Sequence, residues 1–173
     1  MKKVATFEKV SFEQFRKDVK DVFNSNNVLL HDAEYEAMYD NIKIPTRATS
    51  GSAGYDFCIP FSWGLDVDKD IKIPTGIRCV IEDGWFLSVV PRSSLGFKYY
   101  TRLANTLGIV DSDYAFADNE GHIFVKIRNE GDKPLLLDKG ERFAQGIFIP
   151  YGVADDEEVT TTRRGGFGST GKQ

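Results

Sequence analysis

The segment Asn105-Thr106-Leu107-Gly108-Ile109-Val110-Asp111-Ser112-Asp113-Tyr114 carries the residues best suited to moving a proton. Two carboxylates two residues apart in an extended stretch point to the same side. A carboxylate beside a phosphate can orient a water and take its proton, and an Asn offers both the donor and the acceptor needed to read one edge of a base. An acidic β-turn explains the same residues without chemistry. A second segment, Pro91-Arg92-Ser93-Ser94-Leu95-Gly96, follows an apolar run and exposes a guanidinium and two hydroxyls at a strand-to-helix turn. Backbone N–H groups at such a turn can meet an anion, or simply open a capped surface helix. The C-terminal stretch Arg163-Arg164-Gly165-Gly166-Phe167-Gly168-Ser169-Thr170-Gly171-Lys172-Gln173 combines glycines, hydroxyls and cations. Glycine lets backbone N–H groups approach a phosphate, and arginine adds charge-assisted donors.

One phenylalanine among these glycines suits a nucleotide, with the base stacked and the phosphates cradled; a disordered tail is the plain alternative. Gly166 to Lys172 also fits the spacing G-x-x-x-x-G-K, but no strong strand leads in, Gln173 stands where Ser or Thr belongs, and no helix follows. Two further segments, Ser52-Ala53-Gly54-Tyr55-Asp56 and Gly140-Glu141-Arg142-Phe143-Ala144-Gln145, are each unspecific alone.

These segments need a scaffold, and the pattern around them predicts short strands and turns. Residues 1–10 alternate as a strand. Ser11 and Gln14 form a capping-box pair before a helix over 12–23, whose Phe12, Phe15, Val19, Val22 and Phe23 share one face. Ser25-Asn26-Asn27 ends it, and a weaker helix follows near 32–39. From residue 42 onward come the turn Pro74-Thr75-Gly76, a β-rich run at 86–90 closed by Pro91, a period-two stretch over 122–128, and a turn at Asp138-Lys139-Gly140 before a strand over 142–149. Such punctuation predicts a β-sandwich, jelly roll or barrel. Ala154 to Thr162 is acidic, then Thr-rich, and predicts a linker.

The chain has 173 residues and a net charge of −4. That suits one domain and gives no electrostatic footprint for nucleic acid, so an anionic substrate must be held by local donors and a metal. Cys58 and Cys79 lie in apolar stretches and predict reduced core thiols. His31 and His122 are isolated, which argues against a histidine metal site or a Ser-His triad. No apolar run is long enough to span a membrane, and no signal-peptide core follows the N-terminus; a cytoplasmic protein is expected.

Taken together, the five segments resemble, in order, the five motifs of the trimeric dUTPase family. Ala53–Phe57 is similar to the first, Pro91–Gly96 to the second, Gly108–Tyr114 to the third with Asn105 as its upstream asparagine, Gly140–Gln145 to the fourth and Gly165–Gly171 to the fifth. The resemblance covers about residues 42–173. It implies a mainly β, jelly-roll-like subunit organised as a strand–helix extension (1–41), a β core (42–153) and a linker with a glycine-rich lid (154–173). It implies a homotrimer with shared sites, hydrolysis of dUTP to dUMP and pyrophosphate with Mg²⁺, and hence exclusion of uracil from DNA and a supply of dUMP for thymidylate synthesis.

By the same resemblance, Asp111 is the general base and Asp56 touches the metal through water. Arg92, Ser93, Ser94 and Gln145 hold phosphates, while Asn105 and the backbone at Val110 read uracil. Tyr114 lies under the deoxyribose. Phe167 stacks on the base, with Arg163, Arg164, Gly168, Ser169 and Thr170 closing over the phosphates. The chain departs from the family pattern in three places. Ser94 replaces a common Gly. The stretch 115–121 replaces a short Arg-Gly turn. Thr162 occupies the usual tail-arginine position, which leaves the choice between Arg163 and Arg164 open. A dCTP deaminase-like enzyme and a nucleotide-dependent regulatory protein, with a partner on the N-terminal extension, are the rival readings.

Overall fold

Strand β1 (Ala5–Lys9) opens the chain and pairs antiparallel with β6 (Ile77–Ile81), in the register Ala5↔Ile81 to Lys9↔Ile77. The computed structural model describes residues 2–156; the expected lid residues Arg163, Arg164, Phe167, Gly168, Ser169 and Thr170 lie outside them. Helix α1 (Phe12–Ser25) follows, then α2 (Asp32–Asp40). Phe15, Val19 and Phe23 of α1 are buried on one face, with Phe12 and Val22 packed at its edges. This is the stripe the sequence predicts, and it is taken up by the chain's own core.

The capping differs in detail from the sequence expectation. Ser11 Oγ accepts from Gln14 N at 3.1 Å, but the Gln14 side chain donates to Asp18 at 2.7 Å instead of returning to the cap. The Ser11 N–H goes to Glu120 at 2.7 Å. The box is half formed because a carboxylate from far along the chain takes the other half.

The remainder is mainly β. A five-stranded sheet has the order β2 (Thr46–Arg47), β3 (Tyr55–Cys58), β12 (Arg142–Pro150), β7 (Trp85–Pro91), β9 (Gly108–Val110). A three-stranded sheet has the order β5 (Asp70–Pro74), β10 (Phe124–Asn129), β8 (Thr101–Leu103), and β11 (Leu135–Leu137) pairs with β4 (Trp63–Leu65). The sheets form an open sandwich rather than a closed barrel. Phe57, Leu87 and Phe143 from the larger sheet meet Ile73, Val125 and Ile127 in one core. Along β10, buried Val125 and Ile127 alternate with Lys126 and Arg128, the period-two signal expected. The strand starts at Phe124 rather than His122, because His122 turns inward and is fully buried. Cys79 is buried in β6, and that burial pushes its thiol up to about 12, so it serves as packing material.

Gly76 joins β5 to β6 with φ +74°; a Cβ there would run into Ile42 and stand 3.2 Å from Phe15. Its N–H donates to His122 Nε2 at 2.8 Å and its carbonyl accepts from Val10 N at 3.1 Å. Gly76→Ala is therefore predicted to cost roughly 1–3 kcal/mol, checked as a lowered Tm in a thermal melt.

Two carboxylates anchor α1. Burial raises the Asp18 pKa, but hydrogen bonds from His122 and Gln14 outweigh it and leave the net value below the ordinary 3.8. Burial likewise raises Glu120, and the Ser11 bonds with nearby Arg78 and His122 bring it below 4.5. A carboxylate with a depressed folded-state value stabilises fully above its ordinary value and loses that contribution as pH falls through the folded one. The Tm gap between wild type and an Asp18→Asn, Glu120→Gln double variant is predicted to stay constant above 4.5 and to shrink below 3.8, the ordinary values of the two groups.

Candidate active site

Three of the sequence segments meet where β3, β12 and β7 run side by side. The register aligns Asp56 with Gln145 and Gln145 with Val90, one residue before Pro91. Arg92, the N-cap of α3 (Ser93–Tyr99), directs Nε to Asp56 Oδ1 at 3.2 Å. Arg142 directs Nη1 to the other oxygen at 3.1 Å. The Asp56 side chain is 12% exposed, so two guanidiniums clamp one largely buried carboxylate and leave a net positive charge at the sheet end. Gln145 donates to Pro91 O at 3.4 Å and lies over Gly54, where a Cβ would stand 2.5 Å from its Oε1. Ser93 and Ser94 are exposed in the first turn of α3. Such an arrangement, drawn from β3, β12 and the N-cap of α3, has the donors to hold an anion.

Arg142 was absent from the site residues that sequence analysis assigned. A register shift between Arg142 and Ala144 marks a bulge against β3, and bulges re-aim side chains. The available signal was a guanidinium inside a segment already suspected.

The stretch from Asp111 to Asp113 is not extended throughout, contrary to the expectation from its sequence. Only Asp111 is extended (φ −76°, ψ 161°); Ser112–Phe116 forms a 3-10 turn, so the rule for alternate residues of a strand does not apply. Asp111 and Asp113 are both exposed. Tyr114 is 1% exposed, and its hydroxyl donates to His122 O at 2.7 Å, so the ring belongs to the packing beneath this turn.

Asn105 sits exposed in the turn between β8 and β9, which carries the chain from the small sheet to the large one. With Val89, Leu103, Gly108, Val110 and Val125 it lines a recess of about 10 Å³. That is room for about one water. Gly108 lets the strands close, since a Cβ there would meet Val89 Cβ at 3.1 Å.

The two halves of the site do not meet within one chain. Val110 pairs with Leu87, so Asp111 follows at the level of Phe86, whereas Asp56 lies at the level of Val90. Four residues along and three strands across separate them by roughly 13 Å and 14 Å, about 20 Å in all.

One carboxylate with hard oxygen donors fits a magnesium ion, which is commonly bound through one or two carboxylates plus substrate phosphates and water. Both Asp56 oxygens carry an arginine and each retains a further lone pair. No cluster of three metal-ligating side chains occurs among the described residues, so phosphate and water oxygens must supply most of such a shell.

Residues 40–171 match the family model for dUTPase. A deoxyuridine 5'-triphosphate nucleotidohydrolase of Lactococcus lactis is 43% identical over 133 residues, covering 75% of this chain and 89% of that protein. One of the same name from Haemophilus ducreyi is 39% identical over 138 residues, covering 75% and 88%. The crystal structure of the dUTPase from Streptococcus mutans superposes with a TM-score of 0.61 at 34% identity, covering 67% of this chain and 91% of that one. With the match spanning all five segments, the chain belongs to the dUTPase family.

Proposed function

We propose that the protein hydrolyses dUTP to dUMP and pyrophosphate, in the cytoplasm. The observation that carries this reading is the doubly clamped Asp56, which gathers the matched first, second and fourth segments into one anion site. Arg92 and Arg142 bind triphosphate oxygens, with Ser93, Ser94 and Gln145 beside them. Asp56 is the residue that would hold Mg²⁺, and a bound ion would neutralise phosphate charge and polarise the phosphoryl oxygens. Asn105 and the Val110 backbone read uracil, and Tyr114, buried beneath the Asp111 turn, supports the backbone that faces the sugar.

Asp111 takes a proton from a water whose oxygen bonds to the α-phosphorus; the bond to the bridging oxygen breaks and pyrophosphate leaves with its electron pair. Because Asp56 and Asp111 of one chain lie about 20 Å apart by strand geometry, and linked phosphates are much shorter, we assign them to different subunits of a homotrimer. Exposed Leu107, Ile109 and Phe116 beside Asp111 supply apolar surface for such an interface. The division into extension (1–41), β core (42–153) and lid (154–173) follows the same reading. Phe167 stacks on the base, and Arg163 or Arg164 with Gly168, Ser169 and Thr170 covers the phosphates.

Asp111→Asn is predicted to lower turnover by about 10²–10⁴-fold while leaving nucleotide affinity and assembly intact; turnover within about tenfold of wild type rules out this base. A nucleotide panel read by pyrophosphate release is expected to favour dUTP over dCTP and UTP by up to roughly 10⁴-fold, and ammonia release from dCTP would identify a deaminase instead. Asp111→Asn chains co-assembled with chains lacking residues 163–173 are expected to regain activity in roughly a quarter of sites. Each parent assembly is inactive in that experiment, and no recovery in verified mixed trimers overturns the assignment of Asp111 and the lid of one site to different chains.

A further inference from the structure

Two features set this chain apart from the family pattern: residues before the matched region, and the longer stretch 115–121. The structure ties them to each other. Glu120 accepts from both Ser11 N and Ser11 Oγ, each at 2.7 Å. His122 is fully buried between the helix and the core. Its Nε2 accepts from Gly76 N at 2.8 Å, so Nδ1 carries the proton and donates to Asp18 at 2.6 Å. Gln14 donates to the same carboxylate oxygen.

These bonds continue inward to the turn that bears Asp111. The His122 carbonyl accepts from the Tyr114 hydroxyl at 2.7 Å, Asn119 Nδ2 donates to that hydroxyl at 2.9 Å, and Tyr114 N donates to the Asp111 carbonyl at 3.2 Å. Gly121 fits only because it lacks a side chain: at φ +69°, a Cβ would stand 2.5 Å from Ala115 Cα. The connection between β9 and β10 is thus folded on itself and pinned at its far end by two carboxylate contacts to the extension.

We infer that Asp18 and Glu120 are positioning residues for the Asp111 turn, so that the N-terminal extension is part of the catalytic apparatus. Glu120 and Asp18 fix Ser11 and His122, His122 fixes Tyr114, and Tyr114 fixes the backbone at Asp111. A general base must keep its place relative to the attacked atom, and small displacements are costly. The inference rests on Asp111 being that base.

The opposite end of α1 provides the control. Phe23 packs on Phe61 and Trp63, with ring centroids at 5.0 and 5.5 Å, further toward the C-terminal end of α1 than the contacts of Ser11 and Asp18. The full-length chain and four variants, Asp18→Ala, Asp18→Asn, Glu120→Ala and Phe23→Ala, are compared well below their melting temperatures for kcat, KM and affinity for a nonhydrolysable dUTP analogue. Asp18→Ala and Glu120→Ala are expected to lose about tenfold in kcat with KM and analogue affinity changed less than about twofold. Asp18→Asn should regain most of the loss, because its amide oxygen still accepts from His122. Phe23→Ala should lower Tm at least as much while kcat stays within about twofold.

The inference is overturned if Glu120→Ala, or a folded Asp18→Ala, keeps wild-type kcat, if Asp18→Asn is no better than Asp18→Ala, or if Phe23→Ala loses turnover in the same proportion. Should Asp18→Ala not fold, Glu120→Ala decides. Asp111→Asn retaining turnover would remove the base assignment, a different failure. Amide hydrogen exchange over 112–121 then decides the tether: faster exchange in Glu120→Ala but not in Phe23→Ala supports it, and unchanged exchange overturns it.

Discussion

The long pairing of β7 with β12 governs what the rest of this molecule can do. Seven consecutive pairs, from Ala144↔Pro91 to Pro150↔Trp85, fix the register of the two central strands. A slip of one residue would turn Leu87 and Val89 off the face they bury and bring Ser88 and Val90 onto it. Because the register is locked, the end bearing Pro91 always carries Arg92 and Arg142 against Asp56, and the end bearing Trp85 always carries Asp111. The sheet keeps Asp56 and Asp111 at opposite ends of β7 on one chain, and the proposal of a site shared between chains rests on that separation.

The clamp on Asp56 has its own logic. An isolated carboxylate at 12% exposure would be poorly solvated, and an unpaired pair of arginines would repel one another. Held together, they keep each other in place, as the proposed nucleotide site requires. Preorganised charge of this kind needs little rearrangement when phosphate oxygens arrive, which is where such sites gain their strength.

The chemistry-bearing segments were legible in the sequence because each is short and contiguous: Asp56, Arg92, Ser93, Ser94 and Gln145 fall in three runs that the fold brings together. The strand pattern and the α1 stripe were legible for the same reason, as local periodicity. What could not be read was non-local or set by packing. Asp18 and His122 are 104 residues apart and Ser11 and Glu120 are 109 apart, and no local rule joins them. The 3-10 turn after Asp111 is held by Tyr114 in the core, so the strand rule failed at its first residue. Arg142 looked like an ordinary exposed strand residue until the bulge aimed it at Asp56.

Strand β1 also closes an edge. Every residue of β6 from Ile77 to Ile81 is paired to it, and Ile77, Cys79 and Ile81 are buried. Trimming this chain to the boundaries of the shared family fold would leave a five-residue apolar strand with its backbone donors and acceptors open to any passing chain, the usual template for edge-to-edge aggregation. The extension therefore covers a strand edge, and a shortened chain that precipitates would be reporting on that bare edge, not on Asp56 or Asp111.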